Sequence, residues 1–240
     1  MARLIHKLSS KAHYPVSDRV WLFDLDNTLH DASHAVFSQI DQTMTTAVMK
    51  SLNLDYASAT ALRQRYWEQY GATMIGMQRH HGVDPIDFLH LSHDFDIPKF
   101  VKKEPHLGHL LRQTPGIKYI VTNAPYAYAR AVLQTLRIED CFSGICAIDH
   151  MFLQGEYHPK PSMRLMRALL RELDVPAARI TLVEDTLKNL KTAKKLGMQC
   201  AHIANPGTPF STIYDGRADY VDIKVHSIQA LLLSEFARKG

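Results

Sequence analysis

The sequence predicts an α/β fold: a parallel sheet flanked by helices, with a helical domain inserted after the first strand. Three observations predict it. Short apolar runs recur along the chain, amphipathic helical stretches lie between them, and one long stretch after the first run holds no strand-like segment.

The apolar runs occupy residues 20–25, 117–122, 144–148, 180–183, 200–204 and 220–223. They show little strict alternation, as expected of strands buried on both faces. Helices are expected between them. Residues 126–137 place Ala129, Val132, Leu133 and Leu136 on one face, and residues 162–173 do the same with Leu165, Met166, Leu169 and Leu170. Pro161 stands just before the second of these, where its missing N–H does no harm, and Gly197 is placed to cap the helix over 187–196. Such β–α alternation implies right-handed crossovers and a parallel sheet. The exception runs from about His30 to Gly108. There Val36, Ile40, Met44, Val48 and Leu52 recur at helical spacing, and residues 62–70 and 87–91 also read as helices. The expected organisation is a core of residues 1–30 and 105–240 and a helical insert of residues 31–104.

Composition narrows the function. Of 240 residues, 46% are hydrophobic and 22% charged, enough to bury a core. Twenty-eight basic residues against 24 acidic give a net charge of +4, too modest for a dedicated nucleic-acid binder. The basic group Lys191, Lys194 and Lys195 reads as the solvated end of a helix. Cys141, Cys146 and Cys200 are odd in number with no CxxC, which suits free thiols in a reducing compartment. No apolar run approaches the ~18 residues of a membrane span. The segment before Asp18 lacks the apolar stretch of a secretory signal and reads as a loose tail. The expected setting is cytoplasmic, as a monomer or homodimer, with neither a nucleic-acid polymer nor a membrane as partner.

The most informative stretch is Phe23-Asp24-Leu25-Asp26-Asn27-Thr28. Two acids, two apart, close a buried strand, at the edge where parallel sheets bind ligands. Other strand-like runs close in Thr122-Asn123 and in Glu184-Asp185-Thr186, and His158-Pro159-Lys160-Pro161 lies between these two. Asp24, Asp26 and Thr28 match the DxDxT signature of the haloacid dehalogenase-type phosphohydrolases at every signature position. The other three strings resemble that superfamily's remaining motifs, in order.

The resemblance implies a Rossmann-like core, a bound Mg2+ and four catalytic residues. Asp24 is implied as the nucleophile, splitting ester hydrolysis into two steps through an aspartyl-phosphate. Asp26 is implied as the acid that protonates the leaving alkoxide and then takes a proton from water. Thr122 is implied to donate to the phosphoryl oxygens, and Lys160 to neutralise Asp24 and the phosphoryl group. Asp24, the backbone carbonyl of Asp26, Asp185 and Glu184 are the implied oxygen ligands of the metal. Leu25 and Asn123 are expected beside the phosphate. Asn189 departs from the pattern, since many members carry a second Asp there.

Asp26 argues against a dehalogenase, whose halide leaves without a proton. Phosphomutases need the same acid, so the core motifs leave them open, together with sugar phosphatases. A nucleotide-binding module that had lost catalysis is expected to lose Asp24, Asp26 or Lys160, and all three are present. The insert after the first motif resembles the helical cap class, which suits small phosphate monoesters. Within it, residues 70–76, 80–85 and 93–96 resemble the pyrimidine 5'-nucleotidase branch, as does Thr122-Asn123-Ala124-Pro125. That resemblance implies UMP- or CMP-like substrates. Tyr70, Thr73, Arg79, His80 and His81 are the candidates for contacting them, and Gly71, Gly76 and Gly82 are expected to mark turns.

Overall fold

The structure is a computed structural model and describes residues 3–8, 17–205 and 217–238. The chain divides into two compact units, one of Met1–Ser33 with Val101–Gly240 and one of His34–Phe100. The sequence puts these boundaries at 30/31 and 104/105.

In the first unit a two-residue strand, β1 (His6–Lys7), precedes β2 (Val20–Phe23). The second unit is helical: α1 (Val36–Leu52), α2 (Tyr56–Tyr70), α3 (Thr73–His81), α4 (Pro85–Ser92) and α5 (Ile97–Phe100). Local signals set the helix ends. Asp55 accepts from Ser58 N at 3.0 Å and Asp84 accepts from Ile86 N at 2.9 Å, satisfying first-turn donors, and Pro85 opens α4. Gly71 and Gly82 take φ of 77° and 65° just past α2 and α3. Gly76 does not mark a turn. It lies inside α3, against the buried Tyr66 ring of α2, and a Cβ there would stand 2.2 Å from the Tyr66 Cγ. Gly76→Ala is expected to cost about 2 kcal/mol, since overpacking a buried ring exceeds the ~1 kcal/mol that alanine gains over glycine in a helix. A thermal melt checks this, with an expected fall of roughly 4–8 °C; an unchanged midpoint would contradict the close packing.

The first unit resumes with α6 (Leu107–Gln113), β3 (Ile117–Val121), α7 (Tyr126–Leu136) and β4 (Gly144–Cys146). A hairpin of β5 (Phe152–Leu153) and β6 (Glu156–Tyr157) follows, then α8 (Met163–Leu173), β7 (Ile180–Glu184) and α9 (Leu187–Lys194). The described chain ends with β8 (Gln199–Ile203), β9 (Ile223–Val225), α10 (Ile228–Leu233) and α11 (Glu235–Arg238). The main sheet has the order β1-β4-β3-β2-β7-β8-β9, parallel except for β1.

Two expectations are corrected here. The sixth strand lies at 223–225 rather than 220–223, because residues 218–221 form a turn closed by Val221 N donating to Ala218 O at 2.9 Å. The loose tail is not loose over residues 3–8. His6–Lys7 pair antiparallel with β4, and the Glu172 carboxylate of α8 accepts from Leu4 N and Ile5 N at 2.7 and 3.0 Å. The remainder of that expectation, at residues 1–2 and 9–16, lies outside the described residues.

β2 is central and every residue of it is buried. Both neighbours are in register with it: Phe23 pairs with Ile120 of β3 and with Val183 of β7. One residue further on, the carboxyl ends of the three strands leave the sheet together. The chain runs outward from β2 through β3 to β4 and returns to β7 on the other side of β2. β2 is therefore the switch point, beside which open parallel sheets form their crevice. The helices cover this sheet with the faces read from sequence. Ala129, Val132 and Leu133 of α7 and Leu165, Met166 and Leu169 of α8 are buried, while Leu136 and Leu170 are partly so. Cys141, Cys146 and Cys200 are free and buried, and burial pushes each thiol up to about 12. Among the described residues no helix is long and apolar enough to cross a membrane.

Candidate active site

Asp24 follows β2 directly, and its N–H continues the ladder by donating to Val183 O at 2.9 Å. That register delivers its carboxyl beside Glu184, the last residue of β7, and Asp185. Asp24, Glu184 and Asp185 each offer a carboxylate oxygen within 4.8 Å of the others. Lys160 enters from the loop before α8. Its Nζ donates to Asp24 Oδ1 at 2.5 Å and to Glu184 Oε2 at 2.7 Å, with the lysine side chain 2% exposed.

Three acids around one amine set the electrostatics. Burial pushes the Asp24 carboxyl up to about 8, with Glu184 adding to the push and Lys160 opposing it. Burial likewise raises Glu184 to about 7 against the pull of Lys160. Asp185 is raised by burial too. Burial works against the charge of Lys160, but the Asp24 and Glu184 carboxylates outweigh it and hold the amine above the usual lysine range. The cluster thus carries more acid than its one ammonium can neutralise. Its donors are all hard oxygens, which fits a hard divalent cation bound by Asp24, Glu184 and Asp185.

The surrounding contacts orient this cluster. Asn189 Nδ2 donates to Glu184 Oε2 at 2.9 Å, so an amide here adds a donor where a carboxylate would add another negative charge. Thr186 N donates to Glu184 Oε1 at 3.2 Å, and His202 Nε2 lies 3.0 Å from the Asp185 carbonyl. Thr122, buried at the end of β3, has its N–H on Cys146 O at 3.0 Å and its hydroxyl accepts from Ala124 N at 3.0 Å. The Leu25 side chain is buried in the core, and its carbonyl accepts from Leu29 N at 2.9 Å. Asn123 ties two parts of the site together. Its amide faces the Lys160 backbone, donating to Lys160 O at 3.0 Å and accepting from Lys160 N at 2.8 Å, so the side chain holds the lysine's backbone in place.

The sequence model of the haloacid dehalogenase-like hydrolases matches residues 19–197. The chain belongs to this family. Its relatives include Phosphate metabolism protein 8 of Saccharomyces cerevisiae, 24% identical over 192 residues, which are 75% of this chain. The match spans 60% of the yeast protein's length. Among solved structures, CbbY from Rhodobacter sphaeroides in complex with phosphate superposes with a TM-score of 0.58 at 20% identity, covering 89% of this chain and 96% of that one. A HAD phosphatase from Thermococcus onnurineus gives 0.57 at 19% identity, covering 89% and 95%.

Two residues of this hydrolase escaped the sequence reading: His30 and Tyr128. Both reach the Asp26 carboxylate, with Tyr128 OH donating to Oδ1 at 2.5 Å and His30 Nε2 at 3.0 Å from the same oxygen. His30 follows Asp26 by only four residues, which is the signal that was legible. Tyr128 is 102 residues away and interrupts the apolar face of its helix with a hydroxyl.

Four of the five candidates in the helical unit, Tyr70, Arg79, His80 and His81, lie together. Tyr70 OH meets His80 Nε2 at 2.6 Å and Arg79 lies 5.3 Å from the Tyr70 ring centroid. Tyr66, which the sequence reading did not single out, stacks on His80 at 5.4 Å and its hydroxyl meets His81 Nε2 at 2.8 Å. Thr73 is buried with its hydroxyl on Arg63 O at 3.1 Å.

Proposed function

We propose that the chain is a magnesium-dependent phosphatase acting on small phosphate monoesters, with pyrimidine nucleoside 5'-monophosphates such as UMP and CMP as its substrates. The observation that carries the reading is the buried Asp24 carboxylate held at 2.5 Å by Lys160, with a second carboxylate two residues on. Asp24 attacks phosphorus; the Asp24 O–P bond forms as the ester P–O bond breaks, and Asp26 gives its proton to the departing alkoxide. Asp26, now ionised, takes a proton from a water whose oxygen attacks the aspartyl-phosphate, releasing phosphate and Asp24. Lys160 offsets the charge gathered on Asp24 and the phosphoryl oxygens, and Thr122 is the hydroxyl assigned to those oxygens. Asp24, Glu184, Asp185 and the Asp26 carbonyl would hold Mg2+, which supplies further charge neutralisation at the phosphoryl group. The pyrimidine preference is supported by the insert's resemblance to the nucleotidase branch and by the exposed His80 beside the half-buried Tyr70, which offer flat rings with polar edges.

A panel of phosphate monoesters tests this. UMP and CMP are expected to exceed sugar phosphates in kcat/KM by about tenfold, the scale of a few lost base contacts. Equal rates across the panel remove the nucleotide preference, and no phosphate release from any member removes the phosphatase.

The metal assignment has its own test. EDTA is expected to abolish turnover and Mg2+ to restore it. Without a cation, the folded carboxyls of Asp24 and Glu184 lie at about 8 and 7, above their ordinary 3.8 and 4.5. They hold protons that the unfolded chain has released. Their contribution to stability is therefore full below 3.8 and is lost as pH rises through 7 to 8. A bound cation must displace those protons, so Mg2+ is expected to raise the melting temperature more at pH 8 than at pH 6. An equal rise at both pH values would contradict ligation by these carboxylates.

A further inference from the structure

We infer that His30 and Tyr128 are positioning residues that hold the Asp26 carboxyl by Oδ1, so that Oδ2 carries the proton exchanged with the leaving group. The inference rests on the acid–base role proposed for Asp26. Both donors converge on one oxygen, Tyr128 OH at 2.5 Å and His30 Nε2 at 3.0 Å. With the Oδ1 lone pairs engaged, protonation falls to Oδ2, and the carboxyl plane is fixed against rotation about its own bond.

Each donor is built for that task. Tyr128 is 1% exposed, and its hydroxyl donates its one proton to Asp26 Oδ1. His30 is 3% exposed, and its Nδ1 has no partner among the described residues. The ring's donor proton is therefore on Nε2, facing Asp26.

The loop that returns His30 to Asp26 is itself closed. Asn27 takes φ of 59°, a left-handed conformation that Asn tolerates, and its Oδ1 accepts from Ser33 N at 3.0 Å and Ser33 Oγ at 3.1 Å. Leu29 N donates back to Leu25 O at 2.9 Å, and Asp26 and His30 form a backbone bridge. One oxygen of the carboxyl is thus held both by its own loop, through His30, and by α7, through Tyr128.

A residue that only supports the fold lowers turnover of every substrate alike. One that aims a general acid matters most where the leaving group needs a proton. The test compares the alkyl phosphate that the wild type turns over fastest with 4-nitrophenyl phosphate, whose nitrophenolate leaves unaided. Tyr128→Phe and His30→Leu are expected to lower kcat on the alkyl ester by roughly ten- to a hundredfold, with KM and 4-nitrophenyl phosphate turnover within about threefold of wild type. His30→Gln, which keeps a donor, is expected to recover part of the loss. Asp26→Asn sets the fingerprint of a missing acid. Tyr128→Phe removes one hydroxyl and keeps the ring, so its result stands if His30→Leu fails to fold. Equal losses on both esters, or none on either, in Tyr128→Phe overturn the positioning role while leaving the phosphatase intact. An Asp26→Asn chain with full alkyl turnover overturns the acid assignment and this inference together.

Discussion

Replacing Asp24 with asparagine is expected to abolish phosphate release, lowering kcat by about four orders of magnitude or more, because an amide cannot form the acyl phosphate on which both half-reactions depend. The substitution keeps shape and volume at a side chain bonded to Lys160 and near Thr28 Oγ1, 3.4 Å away. The fold is expected to survive, with a cooperative melt at or above the wild-type midpoint in EDTA, since a raised carboxyl has been removed from a buried site. Acid quenching during turnover supplies the second readout. The wild type should retain covalent phosphate on the chain and the variant none. Turnover by Asp24→Asn within tenfold of wild type would eliminate the covalent route.

Lys160→Met is expected to have the next largest effect, on two observables at once. Activity should fall by about three orders of magnitude, through loss of the cation that offsets charge on Asp24 and the phosphoryl group. Stability should fall as well, because Asp24 and Glu184 lose the amine that lies 2.5 and 2.7 Å from them. Breaking a buried ion pair on one side costs about 3–5 kcal/mol. Protonation relieves that cost, so the loss should be larger at pH 8 than at pH 5, as denaturant titrations at the two values would reveal. A variant as stable as wild type at pH 8 would mean that the carboxylates are compensated by something other than Lys160.

Much of this architecture is legible in the chain, and the reasons differ by element. The strands at Val20, Ile117 and Ile180 read clearly because each is apolar, short and closed by a polar or acidic residue. The helices α7 and α8 read clearly because their apolar positions recur every three or four residues. The last strand was displaced by three residues because Tyr220 and Val221 have strand-like side chains yet sit in a turn whose geometry depends on Ala218. The pairing of His6–Lys7 was illegible for a different reason: two polar residues carry no periodic signal, and their partners, Ile145 and Gly144, lie far along the chain. In the site, acids and the lysine were legible as motifs. The second layer was not. The sequence places Asn123 beside the phosphate through its neighbour Thr122, and the hold of its amide on the Lys160 backbone shows only in the structure. Tyr70, Thr73, His80 and His81 could not be sorted from sequence, since a ring or hydroxyl that packs against a helix looks the same as one that waits for a ligand.

All of Asp24, Asp26, Thr122, Lys160, Glu184 and Asp185 belong to the unit that the chain leaves after Ser33 and re-enters at Val101. The reacting groups therefore share no peptide segment with the intervening helices. Grafting a different helical segment between residues 33 and 101 would leave each of those side chains beside its own chain neighbours. Selection, or a protein engineer building chimaeras, can thus exchange the whole inserted segment without touching the residues of the acidic cluster.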